Sequence, residues 1–343
     1  MKKLTILLVA VISLFSVCFG LTACGKDKKN DNVIRVSEVT HSLFYAPLYI
    51  AMNNGYFEDE GLEIELTNAG GSDAVTTALT SKSADIGLLG PEGMVYVRKQ
   101  GMKNAPIIFA QLTACDGSFL VGRPDENTGE FSYNNLIGKH IIAGRKGGMP
   151  AMTLQYILEE LYGLTTGSEL TGGIDILLDT SIAYNLNVPS FVAGTGDYCT
   201  MFEPTASQCE LDGTGKIVSA LGEEVGDIPY TVFTSTSSFL SKNPEKIEKF
   251  MRALKKGYDY LMIATDAQLV SALKPSFTTT SDELIVSAVR NYIRIGAYAD
   301  DFVLSESSWA MLQTIMTHAG ELEGTVAYAD AVNTEFASTL NQD

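Results

Sequence analysis

The order of elements is the strongest constraint that this chain places on its fold. "VIRVSEV" from Val33 is a short β-branched run, "FYAPLYIAMNNG" from Phe44 is apolar and ends on glycine, and "LEIELTN" from Leu62 alternates with period two. That pattern predicts strand, helix, strand. "SDAVTTALTSKS" follows as a helix capped by Ser72 or Asp73, "ADIGLLG" as a buried strand, and "PEGMVYVRKQG" as another helix. Strands separated by helices pair in parallel and require helical cover, so the class is α/β, with mostly parallel sheets flanked by helices. Ligands of such sheets bind beyond the carboxyl ends of the strands.

The pattern then restarts. After "APIIFAQLT", "GSFLVGR" and the polar stretch "PDENTGEFSYNN", "GKHIIAG" predicts a strand, "GGMPAMTLQYILEELYG" a helix, "IDILLD" a strand, "NVPSFVAGTG" a helix with its exit, and "DYCTMFEP" a strand with its turn. Asp85 to Pro91 and Asp197 to Pro204 echo each other, each running from an acidic strand start through apolar residues to a proline. "IPYTVFTSTSSFL" predicts a second crossing strand, and "NPEKIEKFMRALKKGYDYLMIA" a long helix capped by Asn243 with Pro244 at its first position. Thr280 and Glu283 stand at capping-box spacing before the next helix, and "SESSWAMLQTIMTHAG" is helical by its apolar intervals. Two α/β parts joined by two extended crossings, wrapped by C-terminal helices, predict a hinged protein that closes over a small ligand.

The start of the chain bears on where the protein works. Lys2 and Lys3, an apolar run from Leu4 to Phe19 and small residues before Cys24 read as a secretory signal over residues 1–23. Leu21-Thr22-Ala23-Cys24 matches the bacterial lipoprotein box, so Cys24 is expected to carry lipid and anchor the protein to the outer face of the cell membrane; the alternative is a plain cleaved signal with a chance cysteine. Residues 24–32 read as a solvated tether. The formal charge of −17 excludes a nucleic-acid partner, which needs a clustered basic surface. Beyond the lipidation site and Cys18 in the signal, Cys115, Cys199 and Cys209 remain, read as buried thiols or as a Cys199–Cys209 bridge with one thiol left over. His41, His140 and His318 are scattered, and no metal-ligand spacing, phosphate loop or nucleophile motif occurs, so neither catalysis nor a cofactor is expected.

Four segments in order carry a family resemblance: Gly55-Tyr56-Phe57 with Glu60-Gly61-Leu62, "ALTSKSADIGLLG", "NLIGKHIIAGRKGG" and "NPEKIEKFMRAL". Over about Val33 to Phe336 the chain resembles the substrate-binding lipoproteins of ABC importers for sulfonates, taurine, nitrate and thiamine-pyrimidine precursors. The resemblance implies a two-lobed periplasmic-binding-protein fold, with residues 33–121 and 231–343 in the first lobe, 122–230 in the second, and the crossings as hinge. It also implies a monomer that hands a small molecule to a permease and its ATPase. The same fold occurs in a fungal-type pyrimidine synthase, and a lipoprotein that senses its ligand without transport is a further reading; this chain lacks the cysteine-rich segment of that synthase.

The candidate ligand contacts follow from that cleft. Phe44 and Tyr45 come after the first strand, where their rings either wall the cleft or pack in the core. Gly90 and Pro91 open one helix toward the cleft, and Arg145, Gly147, Gly148 and Met149 precede or open its counterpart in the second lobe; the glycines either admit a ligand to the backbone or only make tight turns. Opposed helix N-termini suit an anion such as a sulfonate or carboxylate. Glu92, Asp116 and Glu203 argue for amino groups or a cationic heterocycle, Arg145 and Lys146 against, and Glu92 also has a purely helix-stabilising role open to it. A small planar nitrogen compound, such as a thiamine pyrimidine precursor, ranks above an organosulfonate. Pyrimidine-binding relatives carry a histidine where this chain has Tyr45.

Overall fold

A computed structural model describes residues 32–126 and 129–340. The expected signal segment, the lipidation cysteine Cys24 and nearly all of the tether lie outside the described residues. Among the described residues no helix is long and apolar enough to cross a membrane.

The first four strands, β1 (Val33–Glu38), β2 (Glu63–Asn68), β3 (Ile86–Leu89) and β4 (Ile107–Thr113), share one sheet. The next six, β5 (Phe119–Gly122), β6 (His140–Ile142), β7 (Thr166–Gly167), β8 (Ile176–Asp179), β9 (Tyr198–Met201) and β10 (Lys216–Ala220), form a second, in the order β10-β5-β9-β6-β8-β7. The last strand, β11 (Thr231–Ser235), returns to the first sheet and completes the order β2-β1-β3-β11-β4. β1 and β3 are parallel, with Val36 beside Ile86, as are β6, β8 and β9, as expected for strands joined by helices. The strands next to the crossings reverse direction: β11 is antiparallel to β3 and β4, and β5 to β9 and β10. Both sheets are therefore mixed. β5 already pairs in the second sheet, so the chain leaves the first sheet between Thr113 and Phe119, ahead of the expected boundary after 121.

The helices that matter for the site are α1 (Ala46–Asn53), α2 (Ser72–Thr80), α3 (Pro91–Lys99), α4 (Met149–Tyr156), α5 (Asn187–Val192), α6 (Thr205–Leu211), α7 (Pro244–Ile263), α8 (Asp282–Arg294) and α9 (Glu306–His318). The two caps read at α2 and α8 sit elsewhere. Gly71 precedes α2 without a side-chain bond, and Ser281, rather than Thr280, accepts the Leu284 N–H at the start of α8. Cys115, Cys199 and Cys209 are all free and buried.

α7 ties the C-terminal part to the first sheet. Its buried stripe of Ile247, Phe250, Met251, Leu254, Gly257 and Leu261 recurs every three or four residues, and each large apolar side chain contributes about 1.5–3 kcal/mol on burial. Gly257 sets how closely α7 meets α1: a Cβ there would lie 2.2 Å from the Pro47 carbonyl oxygen and 3.0 Å from the Ala51 Cβ. Alanine favours helix over glycine by about 1 kcal/mol, whereas forcing two packed helices apart costs about 1–3 kcal/mol. Gly257→Ala is expected to lower the urea midpoint by a net loss of about 1–2 kcal/mol; an unchanged or raised midpoint would show that the two helices separate freely.

Candidate functional site

Two crossings join the sheets and run side by side. Ala114–Ser118 leads out and Leu221–Tyr230 leads back, held by Ile228 N–H to Ala114 O at 2.9 Å and Leu221 N–H to Ser118 O at 3.0 Å. Asp116 lies in the outgoing crossing with no exposed surface. Its Oδ1 accepts the Ser118 N–H at 2.7 Å, while Oδ2 has no hydrogen-bond partner among the described residues. Burial pushes its carboxyl up to about 6, against the pull of Ser118 and of the Thr153 and Tyr230 hydroxyls nearby. Thr153 stands close enough to favour the charged form, yet its Oγ1 makes no hydrogen bond of full geometry. The Ser118 Oγ and both polar atoms of the Asn187 amide are likewise buried and unpartnered. Each such group costs about 1–3 kcal/mol.

A second buried carboxylate comes from the first sheet. β3 ends in the Gly90 turn, Pro91 is buried at the first position of α3, and Glu92 follows. The Glu92 side chain folds back on Gly90, where an added Cβ would lie 2.2 Å from Oε2 and 2.5 Å from Oε1. Only glycine leaves room for it. Oε2 is covered and unpartnered. Burial drives this carboxyl up to about 7, with its own backbone N–H and the Arg145 cation holding it down in part. The end of α3 that suits an anion is thus filled by the helix's own acid.

Phe44 closes the site from the side. It sits in a 3-10 turn, Leu43–Tyr45, capped by Ser42. Its ring centroid is 4.8 Å from that of Tyr292, 5.7 Å from Tyr230 and 5.9 Å from Phe202. A Cβ on Gly117 would lie 2.6 Å from the ring, so Phe44 rests on the crossing one residue past Asp116. Tyr45 is buried beside it.

The turn before α4 meets the first-sheet side of the molecule. Gly147, at φ +72, accepts the Tyr96 hydroxyl on its carbonyl at 3.1 Å, and Lys146 stands 4.0 Å from Glu321. Gly148 precedes α4, Met149 is buried in its first turn, and Arg145 is exposed. Further along, His318 on α9 places Nε2 2.7 Å from Glu159 and Nδ1 3.1 Å from Glu160, on the turn that continues α4. These contacts tie the start and continuation of α4 to α3, α9 and the turn after α9.

The NMT1-like family model matches residues 39–273. The chain belongs to the NMT1-like family. It is 37% identical over 334 residues, 97% of each chain, to YtlA of Bacillus subtilis (strain 168), named as a binding protein. At 26% identity over 64% of this chain and 63% of the other, it is similar to the 4-amino-5-hydroxymethyl-2-methylpyrimidine phosphate synthase of Aspergillus parasiticus. Among solved structures, the alkanesulfonate-binding protein SsuA of Xanthomonas axonopodis pv. citri bound to MOPS superposes with a TM-score of 0.65 at 17% identity, covering 88% of this chain and 98% of that one. The fold is that of the two-lobed periplasmic binding proteins.

Within this NMT1-like chain, Glu203 does not join the other two carboxylates as an open acceptor. Its Oε1 accepts the Ser207 hydroxyl at 2.8 Å and the Asn291 amide at 2.5 Å, and Oε2 accepts the Ser207 N–H at 3.0 Å. The Glu203 N–H in turn donates to the Tyr292 hydroxyl at 3.0 Å. The residue locks the exit of β9 and the start of α6 onto α8. Conversely, Ser118, Thr153, Asn187 and Tyr230 were not singled out from sequence; each is a common residue in an unremarkable context, and only the fold assembles them. The same holds for Glu38, buried at the end of β1, which binds the Tyr49 hydroxyl and, at 2.9 Å, His41 Nδ1. Among the described residues no group of three His, Cys, Asp or Glu is placed to hold a metal.

Two outcomes follow for stability. Asp116 binds its proton more tightly folded than unfolded, so stability is greatest below the ordinary carboxyl range near 4 and is lost as pH rises to about 6, by on the order of 3 kcal/mol. In ligand-free protein, Asp116→Asn should remove that part of the decline; urea midpoints from pH 4 to 7 whose wild-type and variant curves run parallel would disprove it. Glu203→Ala strands the Ser207 and Asn291 donors and should cost about 2–4 kcal/mol, read as a lower midpoint at constant m-value; a loss below about 1 kcal/mol would mean that its bonds hold nothing.

Proposed function

We propose that this protein is an extracytoplasmic solute-binding lipoprotein, anchored through Cys24, that encloses a small nitrogen-containing organic molecule between two lobes and delivers it to the permease and ATPase of an ABC importer. The observation that carries the ligand class is the pair of buried acceptors, Asp116 Oδ2 and Glu92 Oε2, each covered and unpartnered. A ligand amino group or protonated ring nitrogen would satisfy either acceptor. An anion would meet two carboxyl groups, and the N-terminus of α3 already holds the Glu92 carboxylate. Phe44 and the nearby Tyr230 supply an aromatic wall that favours a planar body, such as a thiamine pyrimidine precursor. The name of the Aspergillus relative refers to such an aminopyrimidine. The exposed Arg145, close enough to act on Glu92, completes the mouth. Phe44, Tyr45, Gly90, Pro91, Glu92, Asp116, Arg145 and Gly147–Met149 thus surround the ligand or shape its enclosure, while Glu203 serves the scaffold. The protein acts as a monomeric carrier, without a cofactor and without turnover.

Charge decides between this reading and an organosulfonate. With Asp116 near 6 and Glu92 near 7 in the free protein, a cationic ligand requires both to release their protons. Affinity for a ligand that stays charged throughout, such as a polyamine, should therefore strengthen as pH rises from 5 to 8, by up to about tenfold per pH unit for each proton released, whereas an aminopyrimidine, which gives up its own ring proton in the same range, takes the carboxyl proton and shows a flatter dependence. An anion requires the protonated forms, so its affinity should weaken over the same range. Thermal-shift screening of the domain from Asn32 onward against aminopyrimidines, polyamines, taurine, alkanesulfonates and nitrate selects the binder, since a micromolar ligand at millimolar concentration adds about 4 kcal/mol. Calorimetry from pH 5 to 8 then reads the sign. Binding confined to sulfonates or nitrate, weakening with pH, would overturn the nitrogen reading.

A further inference from the structure

Asn187 opens α5 in the second sheet's part of the molecule, with 1% of its surface exposed. Neither Nδ2 nor Oδ1 has a hydrogen-bond partner among the described residues. Exchanging the amide oxygen and nitrogen changes nothing, because both lack partners. A buried amide in that state gains nothing from its polarity: it loses its bonds to water and makes none in return, at about 1–3 kcal/mol for each orphaned atom. A leucine of similar volume would fill the same space without that penalty.

The surroundings fix where the amide stands. Nδ2 is 3.7 Å from the position of a Cβ built on Gly144, two residues past the carboxyl end of β6, and Pro150 Cβ and Thr200 Oγ1 lie 3.9 and 4.0 Å from the same point. β6 pairs in parallel with β8 and β9, so this is the end of the sheet at which ligands of α/β folds bind. Thr200 spends its hydroxyl on the Ile142 carbonyl, at 3.5 Å. One turn along α4 from Pro150 comes Thr153, fully buried and without a hydrogen bond of full geometry, and it is Thr153 that faces Asp116. Asn187 thus stands near Pro150 at the start of α4, the helix whose Thr153 faces Asp116 in the crossing.

We propose that Asn187 reads the edge of the ligand, selecting molecules that place a hydrogen-bond acceptor and a donor on neighbouring atoms, as a primary amide or an amino-substituted nitrogen heterocycle does. This rests on the cleft being the binding site, and it adds a selectivity that charge cannot supply. Asp116 and Glu92 accept any cation, whereas an amide side chain offers one donor and one acceptor side by side and pairs in two bonds only with their mirror arrangement. A site built to pair both atoms discriminates strongly against a ligand that leaves them buried and unpaired.

The test compares wild type with Asn187→Leu by calorimetry, using 4-aminopyrimidine (edge and basic nitrogen), benzamide (edge without charge), benzylamine (charge without edge) and taurine. Asn187→Leu is expected to weaken 4-aminopyrimidine and benzamide by about 10–100-fold and to leave benzylamine unchanged. The melting temperature of the ligand-free variant should be equal or higher, an outcome that a merely structural asparagine does not allow. Equal weakening of benzylamine and 4-aminopyrimidine, unchanged 4-aminopyrimidine or benzamide binding, or a lower melting temperature would each overturn the assignment. If wild type binds taurine and benzamide but neither basic probe, the cationic reading of the site falls while loss of benzamide in the variant still supports Asn187. If wild type binds none of the four, the assignment falls.

Discussion

Everything in this structure depends on two short crossings packed against each other. Ala114–Ser118 and Leu221–Tyr230 are the only links the fold places between β4 and β5 and between β10 and β11, and they bond directly through Ile228 to Ala114 and Leu221 to Ser118. A pair of parallel links lets two sheets rotate relative to each other while their register stays fixed. Asp116 sits inside that pair, with its backbone oxygen so close to Gly222 that a Cβ there would lie 2.4 Å away. If the crossings act as a hinge, as proposed, an acid at that point would couple its own charge state to the movement: whatever neutralises Asp116 also removes a buried charge from that segment.

The aromatic group around Phe44 belongs to the same device. Phe44 comes from the turn after β1, Phe202 from the end of β9, Tyr230 from the returning crossing and Tyr292 from α8, so four separate stretches of chain meet within about a ring diameter. Tyr292 also accepts the Glu203 N–H, which links this cluster to the Glu203–Ser207–Asn291 lock. The Glu203 carboxylate is thus fully hydrogen-bonded, while Asp116 Oδ2, Ser118 Oγ, Thr153 Oγ1 and the Asn187 amide are not. That contrast separates a structural polar network from a ligand site better than burial does, since both are buried.

The alternation of β-branched runs and amphipathic segments made the α/β order legible, because strands buried on both faces, such as Ile86–Leu89, leave a continuous apolar signal. Strand direction at the crossings left no such signal. Thr231–Ser235 reads as an apolar strand whichever way it runs, and only its pairing with both β3 and β4 reveals that it is antiparallel. Of the three acids singled out, Asp116 and Glu92 keep unpartnered oxygens and Glu203 does not. The Asp197 to Pro204 echo of Asp85 to Pro91 put Glu203 and Glu92 at matching strand ends, but the donors that consume Glu203 lie 4 and 88 residues further on. Asn187 was invisible for the opposite reason: a lone asparagine before Val188-Pro189 reads as an ordinary helix start.

Glu92 and Asp116 also show why burial, rather than charge number, sets selectivity here. The chain carries a formal charge of −17, so cations are attracted to its whole surface and that field cannot mark one site. What marks the site is that two of the carboxyl groups are covered, and burial drives them up to about 6 and about 7. Below about pH 6 both groups hold most of their protons, and near pH 7 Glu92 still holds part of its own. Under the proposed function, a ligand that brought positive charge to them would take over the interaction that water would have made, and any protons they still held would leave as it entered. A neutral molecule of the same shape finds the carboxyl groups still holding part of their protons and gains no charge-assisted bond. On the proposed reading the two buried carboxyl groups would discriminate by charge at contact distance, and the Asn187 amide by the shape of the hydrogen-bonding edge.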